Sequence, residues 1–142
     1  MVAPRVVLDT NVIYAGLRSR RGSSFHLLQL AARGAFEMAL SVPLLLEYEH
    51  TTGRLPLETA LTAVDIDTVL DFLASKAHLQ AVYFAWRPTL PDPNDDFILE
   101  LAVAANCQFI VTFNLKDFRG AESFGITPVS PGAFLSIVRS TS

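Results

Sequence analysis

Apolar positions in this chain occur in two kinds of run. The runs Val6-Val7-Leu8 and Phe109-Ile110-Val111 are unbroken, as in strands buried on both faces of a parallel sheet. They predict strands over Arg5 to Leu8 and Phe109 to Thr112. Phe36 to Val42 alternates Phe36, Met38, Leu40 and Val42 with smaller residues, the period of a strand. Gln80 to Ala85 and Ile126 to Val129 are also strand-like. Helical spacing fills the intervals. Ser23 to Arg33 places Phe25, Leu28 and Ala32 on one face and stops at Gly34. Pro43 opens a helix to about Thr52, with Ser41 as its cap. Asp65 to Ala77 is buried through Ile66, Val69, Leu70 and Leu73. Asp92 to Asn106 and Gly132 to Val138 complete the helices, and a short one is expected to begin near Asn11.

Strands separated by helices pair in parallel through right-handed crossovers, which requires helices on both faces of the sheet. The expectation is an α/β fold: a three-layer α/β/α sandwich around a parallel sheet of about five strands, in a single domain spanning 1–142. Sites in such sheets lie at the carboxyl ends of the strands, where the strand order reverses. Asp9 and Asn114 both follow strands directly.

With 142 residues, 51% hydrophobic and 18% charged, the chain is rich in core-forming residues and unlike a disordered protein. No apolar stretch has the length of a membrane span, and the N-terminus lacks the apolar region and cleavage site of a signal peptide, so a cytoplasmic protein is expected. Cys107 stands alone and reads as core filler. The three histidines, His26, His50 and His78, make no zinc pattern. A net charge of −3 does not favour nucleic acid, although a site rich in carboxylates biases that total. Arg18, Arg20 and Arg21 crowd one loop, which reads either as a solvated loop or as an edge that steers phosphate.

The acidic residues carry the chemistry. Asp9 ends the first strand and is expected to be delivered into solvent; it also suits the role of a helix cap. Glu47 and Glu49 flank the Leu44–Leu45–Tyr48 face of one helix, and at about 100° per residue the period does not choose between them. Glu49 suits a solvated position. In Asp92-Pro93-Asn94-Asp95-Asp96, Asp92 reads as a cap before proline. Asp95 lies on the rim of the face formed by Phe97, Ile98, Leu101, Ala102 and Ala105, while Asp96 is expected to point into solvent. Thr112 and Asn114 are polar groups at a strand end, and Asp117 either joins the acids or caps the following turn. Bringing such carboxylates together creates repulsion that a divalent cation relieves. Metal-free, they are expected to titrate as a coupled set with at least one pKa raised.

The segments Val7-Leu8-Asp9-Thr10-Asn11-Val12, Leu46-Glu47-Tyr48-Glu49, Asp92-Pro93-Asn94-Asp95-Asp96 and Ile110-Val111-Thr112-Phe113-Asn114 together resemble the PIN domain, the metal-dependent ribonuclease fold of VapC-type toxins of toxin–antitoxin pairs. The resemblance covers nearly the whole chain and is strongest to the branch of PIN-family toxin components with the Asp-Pro-x-Asp-Asp and Thr-Phe-Asn-x-x-Asp-Phe segments. It implies metal ligands at Asp9, Glu47 and Asp95, with Asn114 at a fourth, usually acidic, position. Thr10, Asn11, Thr112 and Asp117 are possible supporting residues. It also implies Mg²⁺ or Mn²⁺ as cofactor, single-stranded RNA as substrate, an antitoxin partner and a homodimer. Asn114 brings no charge, which leaves the number of metals open.

Two other readings compete with a nuclease. One is a PIN-like module that binds RNA or protein through the same cleft without cleaving. The other is a phosphoacceptor receiver domain, which needs an acidic pair after the first strand and an acceptor aspartate after the third; here one acid follows the first, and Arg87 and Pro88 follow the third.

Overall fold

The computed structural model describes residues 3–83 and 90–141. Strand β1 (Arg5–Leu8) hands over at Asp9 to α1 (Thr10–Arg18), followed by α2 (Ser23–Ala32), β2 (Glu37–Leu40) and α3 (Val42–Thr52). A single turn, α4 (Leu55–Glu58), precedes α5 (Ala63–Lys76) and the short β3 (His78–Leu79). A 3-10 turn at Pro93–Asp95 then leads into α6 (Asp96–Ala104), β4 (Phe109–Val111), 3-10 turns at Leu115–Phe118 and Ala121–Phe124, β5 (Thr127–Val129) and α7 (Pro131–Thr141).

All five strands are parallel, in the order β3-β2-β1-β4-β5. Central β1 has Val6 opposite both Met38 and Phe109, and Leu8 opposite Val111. The chain builds outward from β1 to β3, then returns to place β4 on the other side. The order therefore reverses between β1 and β4, which opens a crevice beyond their carboxyl ends. Successive side chains of a strand point to opposite faces, and Val6, Val7 and Leu8 are all fully buried, so both faces are covered. Each contributes roughly 1.5–3 kcal/mol by burial. The expected three-layer α/β/α sandwich is the fold observed.

Two aromatic side chains secure the ends of the core. Tyr48 on α3 is buried, and its hydroxyl donates to the Leu8 carbonyl, bolting that helix to the end of β1. Phe134 on α7 meets Phe36 and Phe109 edge-on or tilted, with centroids 5.1 and 5.5 Å away, which closes the opposite end.

The elements depart from the sequence pattern in instructive places. The third strand lies at His78–Leu79, before the expected Gln80 to Ala85, because His78 and Leu79 take the positions opposite Ala39 and Leu40. Phe84, Ala85, Arg87 and Pro88 lie outside the described residues. Helix α5 starts earlier than Asp65: the Thr62 hydroxyl accepts from the Asp65 N–H while the Asp65 carboxylate accepts from the Thr62 N–H. Helix α1 is nine residues long rather than short. Cys107 is buried, and burial pushes its thiol up to about 12, in keeping with core filler. Among the described residues no helix is long and apolar enough to cross a membrane.

Candidate functional site

The crevice between β1 and β4 is framed from the backbone outward. The Asp9 N–H donates to the Val111 carbonyl at 2.9 Å, which extends the β1–β4 pairing by one residue before the chain turns into α1. There Asp9 is the N-cap, with Oδ1 accepting from the Thr10 N–H at 2.8 Å. Its Oδ2 accepts from the Thr112 hydroxyl, also at 2.8 Å. Asp9 is only 9% exposed, so it is not delivered into solvent as expected. Capping and site-lining prove compatible, since each carboxylate oxygen retains a further lone pair.

Helix α3 brings Glu47 to the same place. Ser41 caps it by accepting from the Leu44 N–H at 3.3 Å, and Pro43 occupies its first turn, as expected. The Tyr48 bolt fixes the rotation of the helix. Glu47 then faces the crevice half-buried, its Oε2 accepting from the Thr10 hydroxyl, while Glu49 is exposed. Thr10 thereby contacts both acids: its N–H serves Asp9 and its hydroxyl serves Glu47.

The third acid arrives on the 3-10 turn. Asp92 caps that turn through the Asn94 N–H at 3.0 Å, and Asp95, half-buried at its end, faces the crevice. Asp96 contradicts expectation: it is buried, with Oδ1 accepting from the Leu90 N–H at 2.9 Å. Periodicity misleads here because α6 is enclosed nearly all round, with Leu99 and Glu100 buried as well. A carboxylate on the supposed outer face therefore meets returning chain instead of water.

Beyond β4, Thr112 is fully buried, and its hydroxyl accepts from the Asn114 N–H at 3.0 Å while donating to Asp9. The Asn11 side-chain oxygen accepts from the Phe113 N–H at 3.5 Å. Asn114 and Asp117 line the crevice, so Asp117 sits with the other acids. The crevice is open to solvent and has a volume of about 350 Å³. Three of its lining residues, Tyr14, Thr51 and Arg54, are not expected from the sequence, because they carry no strand-end or motif signal. A larger hollow of about 630 Å³ lies beside the ends of β2 and β3, walled by Leu40, Val42, Leu79 and Phe97, and it touches none of Asp9, Glu47 or Asp95.

The acids feel one another. Asp95 is pushed up to about 6, first by burial and then by the charges of Asp9, Asp92, Asp117 and Glu47. Burial also raises Asp9; the hydrogen bonds from Thr112 and Thr10 oppose this, and Glu47 and Asp117 add to it. Buried Tyr48 is held well above the usual phenol range by burial and then by Asp9 and Glu47. The chargeable donors are oxygen carboxylates, without cysteine or histidine, a set suited to a hard cation such as Mg²⁺ or Mn²⁺. Among the described residues, no three acidic, histidine or cysteine side chains stand close enough to chelate an ion unaided. The arrangement fits a partly hydrated ion taking one or two carboxylates directly, the usual habit of Mg²⁺.

A family model described as the PIN domain matches residues 5–116. Among solved structures, the crystal structure of VapBC2 from Rickettsia felis bound to a DNA fragment from their promoter matches with a TM-score of 0.62 at 19% identity, covering 89% of this chain and 98% of that chain. At that identity the likeness concerns the fold. No curated protein matches this sequence.

Proposed function

We propose, on the premise that this chain belongs to the PIN-domain family, that it is a metal-dependent endoribonuclease acting on single-stranded RNA, and the toxin of a toxin–antitoxin pair. The observation that carries this reading is the gathering of Asp9, Glu47, Asp95 and Asp117 around one crevice at the reversal of strand order. Four carboxylates in a shared cleft destabilise one another, and the raised pKa values of Asp9 and Asp95, set first by burial and then by this mutual repulsion, support a site that a divalent cation relieves.

When bound there, Mg²⁺ or Mn²⁺ supplies a water of lowered pKa and neutralises charge developing on the phosphate. Asp9 would be the principal ligand, its orientation already locked by Thr112 and Thr10. Of Glu47 and Asp95, at most one would join Asp9 in holding the ion directly, and the other would act through the ion's waters. Asn114 orders water or phosphate at the β4 end, where Asp117 adds the negative charge that Asn114 does not bring. Thr112, fully buried and outside the crevice lining, acts by positioning Asp9 and the Asn114 backbone and not, as its place at a strand end suggests, by meeting water or phosphate itself. The Thr10 hydroxyl keeps Glu47 turned toward Asp9. The products expected are a 5′-phosphate and a 3′-hydroxyl. A cognate antitoxin, a homodimer and a cytoplasmic location belong to the same reading.

A second reading, a weakly active or inactive PIN-like module that binds RNA or protein, is favoured by one observation: the fourth position is an exposed amide, Asn114, instead of an acid. The two separate in one assay. Purified protein is given mixed-sequence RNA with Mn²⁺ or Mg²⁺, beside Asp9→Asn. Metal-dependent cleavage lost in the variant supports the nuclease. Chelator-insensitive cleavage, or equal cleavage by both proteins, excludes it. Metal binding without turnover identifies the module.

A further inference from the structure

Four lining residues, Asn11, Tyr14, Thr51 and Arg54, have no part in the chemistry above. Arg54 is the only basic side chain among the described residues that line the carboxylate crevice. Its backbone sits on the turn between α3 and α4, held between Gly53, which closes α3, and Leu55, which is fully buried. Its guanidinium lies over the Tyr14 ring, 5.7 Å from the centroid. The Tyr14 hydroxyl in turn donates to Glu58, whose carboxylate lies 3.8 Å from Arg18. Among the described residues, no carboxylate comes within ion-pairing distance of Arg54, although several line the same cavity.

A cation placed merely to quench the acids pairs with one of them. A guanidinium resting on an aromatic face instead keeps its N–H edge directed outward, in the planar fork that matches phosphate. An RNA strand approaching a crevice of negative carboxylates also needs attraction from a neighbouring group, because the acids repel its backbone.

We infer that Arg54, propped on Tyr14, is a substrate-binding residue that grips a backbone phosphate of single-stranded RNA beside the scissile one and so holds the strand over Asp9, Glu47 and Asp95. This inference rests on the ribonuclease reading and deepens it. A purely structural Arg54, acting only as a lid on Tyr14, affects folding but leaves the salt dependence of RNA binding unchanged.

The test is fluorescence anisotropy of a labelled, mixed-sequence single-stranded oligoribonucleotide in Mg²⁺, with the Asp9→Asn background keeping bound RNA intact. Salt is varied between about 50 and 200 mM, and Arg54→Ala and Arg54→Lys are compared with the background. Arg54→Ala is expected to weaken binding about tenfold or more, with the slope of log K against log salt shallower by about 0.7, the signature of one lost phosphate contact on a single strand. Arg54→Lys keeps the slope but recovers only part of the affinity, because an ammonium lacks the planar fork. Unchanged affinity and slope in Arg54→Ala overturn the inference, as does failure of the background protein to bind RNA. A parallel cleavage assay on the otherwise wild-type protein separates the two claims. No metal-dependent cleavage, with the Arg54 binding effect intact, overturns the ribonuclease reading alone.

Discussion

The Thr112 hydroxyl donates to Asp9 Oδ2 at 2.8 Å and accepts from the Asn114 N–H at 3.0 Å, tying the end of β4 to the acid that ends β1. One buried hydroxyl thus fixes the orientation of the central carboxylate and the course of the loop that carries Asn114 and Asp117. Groups that orient a metal-bound carboxylate typically matter about 10–100-fold in affinity or activity. Thr112→Val, which keeps the shape and removes the hydroxyl, is therefore expected to lower kcat/KM and Mn²⁺ affinity within that range. Thr112→Ser is expected to restore most of both. Metal titration and cleavage kinetics on the two variants check this, and equal activity in Thr112→Val contradicts it.

The raised Asp95 pKa gives a pH signature with a definite sign. Its folded-state value of about 6 lies above the ordinary value of roughly 3.9, so between those limits the metal-free folded protein holds a proton that the unfolded chain releases. Stability contributed by this group is greatest below about pH 4, falls as pH rises to about 6, and is flat above. Asp9, shifted in the same direction, acts with the same sign. Urea unfolding in chelator across this range is expected to show the fall in wild type and a shallower one in Asp95→Asn. Added Mn²⁺ restores stability at the upper end, where the carboxylates are free of protons.

Glu47 and Glu49 sit two residues apart on one helix, yet their substitutions are expected to diverge. Glu47 faces Asp9 and Thr10, whereas Glu49 is exposed. Glu47→Gln is expected to reduce cleavage by about tenfold or more, and Glu49→Gln to leave it within about twofold, consistent with the near-neutrality of exposed substitutions. Comparable losses in both contradict the assigned rotation of α3.

That rotation depends on Tyr48. Removing its hydroxyl strands the Leu8 carbonyl in the core without its donor, which costs about 1–3 kcal/mol. Tyr48→Phe is expected to lower the urea midpoint accordingly. An unchanged midpoint means that the hydroxyl does not hold the helix in the way assigned to it.

A stability test also exists away from the crevice. An added Cβ on Gly16 of α1 meets Leu28 Cδ1 at 2.6 Å and the Ser24 carbonyl at 3.1 Å, so α1 and α2 approach closely there only because position 16 has no side chain. The Leu28 side chain can shift, but the backbone carbonyl yields less. Gly16→Ala is expected to destabilise by about 1–3 kcal/mol, the usual range for overpacking, without altering metal affinity in the folded protein.

The parts of the molecule legible in the sequence are those that a one-dimensional pattern encodes. Unbroken apolar runs place β1 and β4 at the centre of the sheet, and the alternation of strands and helices predicts the parallel α/β sandwich seen. Position nominates Asp9 and Asp95, the resemblance to the PIN domain adds Glu47, and all three line one crevice. Asp96 is misplaced by periodicity, which assumes one buried face, whereas α6 has little that is not buried. The choice between Glu47 and Glu49 is illegible for another reason: it depends on a hydroxyl reaching a carbonyl on a different element. Arg54 and Tyr14 belong to separate helical segments that only the fold brings together, so no local spacing announces them.

Isothermal titration of the metal-free protein with Mn²⁺ near pH 6 reports most directly on whether these carboxylates share a cation. A shared site predicts saturable uptake with release of protons, weakened about tenfold or more in Asp9→Asn and in Asp95→Asn. Absence of uptake, or uptake that neither substitution alters, contradicts it.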